Sequence, residues 1–244
     1  MSVIDDIKRN PKTINEIYEY IKKFQSSTDI IKLSFGANSL NFVLKGIRIP
    51  YGKDCYVDSV LWESGKVAVY ESMGDVISFD FSGCMMAKIK FGDLRLYAHI
   101  HCDTSVSNDS RYDFVKFLKT YNIQDHELFL FRPLCDDQYL SFPAHYDCRY
   151  VWGVITKENK CYSILINGKV EGDKMCLYLD SIYEHICKSS DVVLCDAMRE
   201  FYGNEAEKLF DVNRDELDKV LNKNGINKIP LVIDQLCRIY IYSS

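Results

Sequence analysis

The sequence predicts an α+β domain: a central β-sheet or β-sandwich flanked by helices at both chain ends. Three observations predict it. Apolar residues recur at helical spacing near the start and in the last third, and they alternate with period two through the middle. No Pro- or Ser-rich linker interrupts the pattern, so residues 1–244 are expected to form a single catalytic domain.

The elements follow in order. Thr13-Ile-Asn-Glu16 after Pro11 reads as a capping box, and Ile14, Ile17, Ile21 and Phe24 then share one helical face. Strands are expected near Ile30–Phe35, Leu40–Leu44, Lys66–Tyr70 and Val76–Phe81, divided by Gly36, Gly52, Gly65 and Gly74. Residues 84–101 read as a hairpin, and Ser110–Tyr121 as a helix with a broad apolar face. Strands near Glu127–Arg132, Arg149–Ile155, Cys161–Ile166 and Lys174–Leu179 come next. Helices at Asp180–Lys188, Asp191–Tyr202 and Asn213–Lys223 and a strand at Cys237–Tyr242 complete the pattern.

Composition narrows the function classes. The 244 residues carry 30 basic and 35 acidic side chains, a formal net charge of −5, which argues against a nucleic-acid binder that neutralises phosphates. No apolar run reaches the ~18 residues of a membrane span, and Met1–Lys12 lacks the apolar core of a Sec signal peptide. Ten cysteines without CxxC spacing read as small buried thiols of a reducing compartment. No Walker or Rossmann glycine pattern is present, so no nucleotide is expected.

One stretch carries chemistry. In the hairpin, Gly92-Asp93 suits a two-residue type II′ turn that pairs Phe91 with Leu94. Ile89 then faces Leu96, Ala87 faces Ala98 and Met85 faces Ile100, an apolar face expected to be core. The other face takes Lys88, Lys90, Arg95, Tyr97, His99 and His101, with Cys84 entering beside them. The three basic residues are expected to be solvated there, or to steer an acidic partner. A cysteine beside an imidazole becomes a nucleophile, because the ring takes and returns its proton. Gly83 ahead of it permits a sharp turn that leaves backbone amides exposed for an oxyanion. The flat register sets His101 opposite Cys84 and His99 on the diagonal, about 7–8 Å away.

The Ser82-Gly83-Cys84 at a strand start, followed by a hairpin returning to His99, resembles the catalytic hairpin of the cytotoxic necrotizing factor family of glutamine deamidases. Burkholderia lethal factor and the chemotaxis deamidase CheD share a related Cys–His fold. The resemblance implies Cys84 as nucleophile and His99 as general base, with His101 in reserve. A Thr six residues before the nucleophile in the latter two proteins corresponds to Ser78 here. It further implies a toxin or effector that hydrolyses a glutamine of a host protein, such as a small GTPase or translation factor. Transglutamination would differ only in the final nucleophile. No cofactor or metal is implied, and the site of action would be the host cytosol, with an ordinary cytoplasmic protein as the alternative.

Two other readings use the same residues. His99-Ile-His101-Cys-Asp103 matches the start of the His-x-His-x-Asp-His motif of metallo-β-lactamase-like hydrolases, with His126, His145 or His185 as further ligands. Alternatively, the protein is a non-enzymatic binding or immunity-type protein whose histidines are hydrogen-bonded sheet residues.

Overall fold

In the computed structural model, residues 2–24, 42–101, 110, 113–114, 117–118, 127–133 and 143–185 are described. The expected strands at Ile30–Phe35 and Cys237–Tyr242, the helices at Asp191–Tyr202 and Asn213–Lys223, and most of the one at Ser110–Tyr121 lie outside these residues.

Among them the architecture is α+β. The elements run α1 (Val3–Arg9), α2 (Thr13–Phe24), β1 (Phe42–Leu44), β2 (Gly46–Tyr51), β3 (Cys55–Val60), β4 (Val67–Glu71), β5 (Val76–Ser78), β6 (Met85–Phe91), β7 (Leu94–Ile100), β8 (Leu128–Phe131), β9 (Cys148–Ile155), β10 (Cys161–Glu171) and β11 (Lys174–His185). A five-stranded sheet has the order β1-β4-β7-β6-β8, and a six-stranded sheet has the order β11-β10-β9-β5-β3-β2. Both are mixed: β1 runs parallel to β4, β3 runs parallel to β5, and every other pairing is antiparallel.

The sheets face one another across a shared core. Ala68, Met86, Tyr97 and Phe131 of the smaller sheet meet Val60, Val76, Val151, Ile155, Cys161 and Leu165 of the larger. The larger sheet's outer face is covered by Val3, Ile4 and Ile7 of α1 and Ile14, Ile17 and Ile21 of α2, packed against Ile49, Ile77, Trp152 and Ile164. Phe117 covers part of the smaller sheet's outer face, its ring 4.9 Å from that of Phe42.

Helix capping departs from expectation. The reciprocal cap belongs to α1, where Ser2 Oγ accepts from Asp5 N and the Asp5 carboxylate accepts from Ser2 N. The second helix begins at Thr13 itself, and the Glu16 carboxylate accepts from Gly52 N at 2.7 Å. That bond ties α2 to the β2–β3 turn instead of capping the helix.

The hairpin register agrees with the sequence reading residue for residue, from Phe91↔Leu94 to Met85↔Ile100, with Gly92 at φ 59° in the turn. Its second face does not. Met86, Tyr97 and His99 are buried against the larger sheet, as is Lys88, 5% exposed. The Lys88 ammonium donates to the carbonyls of Thr156 and Lys157 at 3.4 and 3.2 Å and lies 5.2 Å over the Tyr97 ring. Burial, with Arg95 nearby, lowers its pKa. Only Lys90 of the three basic residues is exposed, with Arg95 half-buried. A second sheet stacked on this face is a tertiary fact that strand alternation alone cannot reveal.

Three further differences have local causes. Strands β2 and β3 are not expected from the sequence; Pro50 is tolerated because β2 is a sheet edge. The strand expected to reach Phe81 ends at Ser78, since Asp80 takes a positive φ of 58°. Of the helix expected at Asp180–Lys188, residues 180–185 are instead the end of β11, and the remaining three lie outside the described residues. A bulge opposite Leu165 and Ile166 absorbs Asp180 as an extra residue, so pairing with β10 resumes at Ser181. The Asp180 carboxylate accepts from Arg149 and Asn167, which satisfies the charge that broke the strand pattern in sequence.

Candidate active site

The site is assembled where the β5–β6 connection passes beneath the end of β7. Gly83 adopts φ 154°, a conformation that a side chain would strain, and this turn delivers Cys84 to the start of β6. Added at Gly83, a Cβ would lie 3.4 Å from Nη2 of the buried Arg132. Cys84 is 4% exposed and in the thiol form, as are Cys55, Cys148, Cys161 and Cys176. It lines a cleft of about 530 Å³ together with Lys45, Trp62, Asp80, Ser82 and His101. Asp80 at this cleft has its pKa raised by desolvation.

His99 pairs across the hairpin with Met86, two residues beyond Cys84 on the same face. Phe81 stacks on its ring, with centroids 4.3 Å apart and planes 5° from parallel. Phe81, which stacks on His99, belongs with Cys84 and Met86 to one buried cluster.

Counting protons assigns the His99 tautomer. Ser78 Oγ lies 2.7 Å from the Val60 carbonyl, which can only accept, so the hydroxyl's single hydrogen goes there. The 2.8 Å contact between Ser78 Oγ and His99 Nδ1 must then be donated by Nδ1–H. In the neutral ring this leaves the lone pair on Nε2, a fully buried atom with no hydrogen-bond partner among the described residues. Burial, and secondarily the nearby His101, pushes the His99 pKa down to about 3, so the resting ring is neutral.

His101 has the opposite tautomer. Gly65 N–H donates to its Nδ1 at 3.0 Å, which requires the ring hydrogen on Nε2. Trp62 packs edge-on against the ring, 5.6 Å between centroids. The backbone is held as well: His101 N donates to Lys66 O, and Ser110 N donates to His101 O.

The structure thus brings together Ser78 with His99, and Cys84 with His101 at one cleft. The metal reading has its imidazoles on one strand, but Asp103 and His126 lie outside the described residues. No group of three or more His, Cys, Asp or Glu able to hold a metal occurs among the described residues. His145 packs against Tyr146, and Cys148 Sγ lies 3.9 Å from Met175 Sδ. His185 is bound by Ser163 on β10.

Sequence reasoning overlooked Phe81, Gly65, Trp62 and Arg132. Phe81 carried a usable signal, since it precedes the Ser-Gly-Cys turn. The other three come from distant segments and carried none. No helix among the described residues is long and apolar enough to cross a membrane. Neither protein-family models nor curated protein sequences match this chain.

Proposed function

We propose that the chain is a Cys–His amidohydrolase, a protein-glutamine deamidase of the toxin or effector kind acting on a folded host protein. The observation that supports it most is His99 Nε2: a buried lone pair without a partner among the described residues, on the face that carries Cys84. An unsatisfied buried acceptor costs about 1–3 kcal/mol, and proton transfer from a thiol gives it a use.

In the reaction, Nε2 takes the Cys84 proton as Sγ bonds to the carboxamide carbon, and the C=O electron pair moves onto oxygen. Ser78 holds the ring through Nδ1–H and so keeps Nε2 available. Collapse of the tetrahedral species expels ammonia, which leaves with the proton from Nε2. His99 next deprotonates water, the hydroxide attacks the thioester, and Sγ departs and regains its hydrogen, leaving glutamate. An amine in place of water makes the same scheme a transglutamination. Burial keeps the resting His99 ring neutral, and the anion that develops beside it in the first step offsets the cost of forming the buried imidazolium. Arg132, lying against Gly83, adds positive charge to the same neighbourhood.

The test is incubation of the purified protein with a panel of Rho-type GTPases and translation factors, followed by peptide mass analysis for glutamine converted to glutamate. Conversion is expected with the wild-type chain and not with Cys84→Ser or His99→Asn. Equal conversion by wild type and Cys84→Ser rules the reading out.

A further inference from the structure

We propose that the end of the sandwich between the β6–β7 hairpin and the β9–β10 turn is a binding site for a phosphoryl group, held by Lys88, Lys90 and Arg95. This site is separate from the Cys84 cleft and does not depend on the activity proposed above. Cys84 precedes β6, and Lys90 lies six residues further along the extended chain, about 20 Å away.

Strand parity places Lys88, Lys90 and Arg95 on the hairpin face that meets the larger sheet. That sheet covers Lys88, but β9 stops at Ile155 and β10 starts only at Cys161. At this end the three basic residues line a cavity of about 260 Å³. Phe129 of β8, opposite Lys88 in the register, forms another wall, and Lys157 and Asn159 of the turn complete it. The turn is held by its own bonds: Thr156 N donates to Lys160 O, Asn159 N to Thr156 O, and Lys157 N to the Asp75 carboxylate.

The charges in this cavity are not balanced. Lys88 is only 5% exposed, and the Thr156 and Lys157 carbonyls take two of its three ammonium hydrogens. Carbonyl dipoles solvate the charge without cancelling it. The Arg95 guanidinium donates to Met73 Sδ, a thioether. Among the described residues none of Lys88, Lys90 and Arg95 forms an ion pair. Lys90 and Arg95 also stand directly opposite one another, where like charges destabilise a sheet. A buried cation is ordinarily paired, because leaving it unneutralised is costly. An anion seated here offsets both the desolvation of Lys88 and the repulsion between Lys90 and Arg95. The acidic groups nearby are Glu127 in the lining and Glu158, which pairs with Lys157 at 3.6 Å.

Charge and shape select the ligand class. A carboxylate brings one negative charge and two oxygens, whereas a phosphate monoester carries about −1.5 to −2 and three acceptor oxygens. Arg95 can bind two of those oxygens side by side, and the two ammonium groups act as point charges. Phe129 offers an apolar surface to the carbon skeleton that bears the phosphate.

Titration of the full chain with inorganic pyrophosphate at fixed ionic strength, read by calorimetry and by ³¹P resonance shifts, tests the assignment. Saturable binding is expected, weakened about 10-fold or more by Lys90→Gln or Arg95→Gln. Lys53→Gln, which removes an exposed lysine of the β2–β3 turn, should leave it unchanged. Pyrophosphate should raise the melting temperature of the wild-type chain and not that of Arg95→Gln, which also shows whether each variant folds. A phosphoserine pentapeptide separates the sources of the group: tighter binding than pyrophosphate points to a phosphorylated protein, weaker binding to a small soluble phosphate. No saturable binding at millimolar pyrophosphate, or an equal loss in Lys53→Gln, overturns the proposal. So does tighter binding of a glutamate-rich peptide, which would make the site one for acidic proteins.

Discussion

On one side of Gly153, Ser78 holds His99; on the other, Ser163 holds His185. The three residues Ser78, Gly153 and Ser163 form a row across β5, β9 and β10. In both pairs the serine hydroxyl donates to a backbone carbonyl, that of Val60 or Pro133, and accepts from an imidazole N–H. Each ring lies against a phenylalanine, Phe81 or Phe131. Burial lowers both pKa values, to about 3 for His99 and about 4 for His185. A cysteine accompanies each, Cys84 on the hairpin and Cys161 directly across from His185.

What differs is access and which nitrogen donates. His99 donates through Nδ1 and His185 through Nε2. Cys84 lines a cleft, whereas Cys161 is wholly enclosed between the sheets. A serine bridging a histidine to a carbonyl is thus a general way to bury an imidazole in this sandwich. It becomes a candidate catalytic device only where the neighbouring thiol meets a cleft. Gly153 keeps the row compact, since a Cβ there would lie 2.8 Å from Pro133 Cγ and 3.0 Å from Phe81 Cε2.

The sharpest way to break this comparison is chemical. Iodoacetamide near neutral pH is expected to alkylate Cys84 at least about 10²-fold faster than Cys161 in the folded protein, read by peptide mass over time. His99→Asn should reduce the Cys84 rate by about 10²-fold, while His185→Asn should leave it within a few-fold of wild type. Comparable labelling of the two thiols would erase the distinction between the pairs.

Removing each hydroxyl is expected to have a smaller effect. Ser78→Ala strands the Val60 carbonyl and the His99 Nδ1–H, and Ser163→Ala does the same to the Pro133 carbonyl and the His185 Nε2–H. Each should lower unfolding free energy by about 2 kcal/mol in urea titrations. Only Ser78→Ala should also slow Cys84 alkylation, because only there does the hydroxyl hold the ring proposed to act as base on Cys84. If Ser163→Ala slows it equally, the effect is general loosening and not positioning.

Acid provides the mildest distinction. Both histidines have folded pKa values depressed below the ordinary 6.5, so the unfolded chain binds their protons first. The stability tied to their neutral forms is complete above pH 6.5 and falls as pH drops, down to about 3 for His99 and about 4 for His185. Melting temperature should therefore decline between pH 6.5 and 4. His185→Gln should flatten part of that decline without altering the neutral-pH reactivity of Cys84. A melting temperature that is level or rising over this range contradicts the buried neutral state of both rings.

Much of the hairpin was legible beforehand, because its information is local. A Gly-Asp turn and strict alternation determine which residues oppose one another, and the register from Met85 to Leu94 emerged as expected. The resemblance singled out Ser78 only by its place six residues before Cys84, and its bond to His99 appears only in the structure. No periodicity in the sequence joins β5 to β7, which lie in different sheets. Asp180 and Ser181 interrupt the alternation of β11, and the bulge that accommodates Asp180 depends on the partner strand β10.

By itself, then, the sequence determined the α+β class, the hairpin, and the presence of Cys84, His99 and His101 on one of its faces. Only the tertiary structure decided that this face is enclosed by a second sheet and that each imidazole carries its proton on a particular nitrogen. The physical reason is the range of the forces involved. Strand parity and turn chemistry act between neighbours in sequence, whereas desolvation and hydrogen-bond partners such as Val60, Gly65 and Pro133 arrive only when distant segments pack.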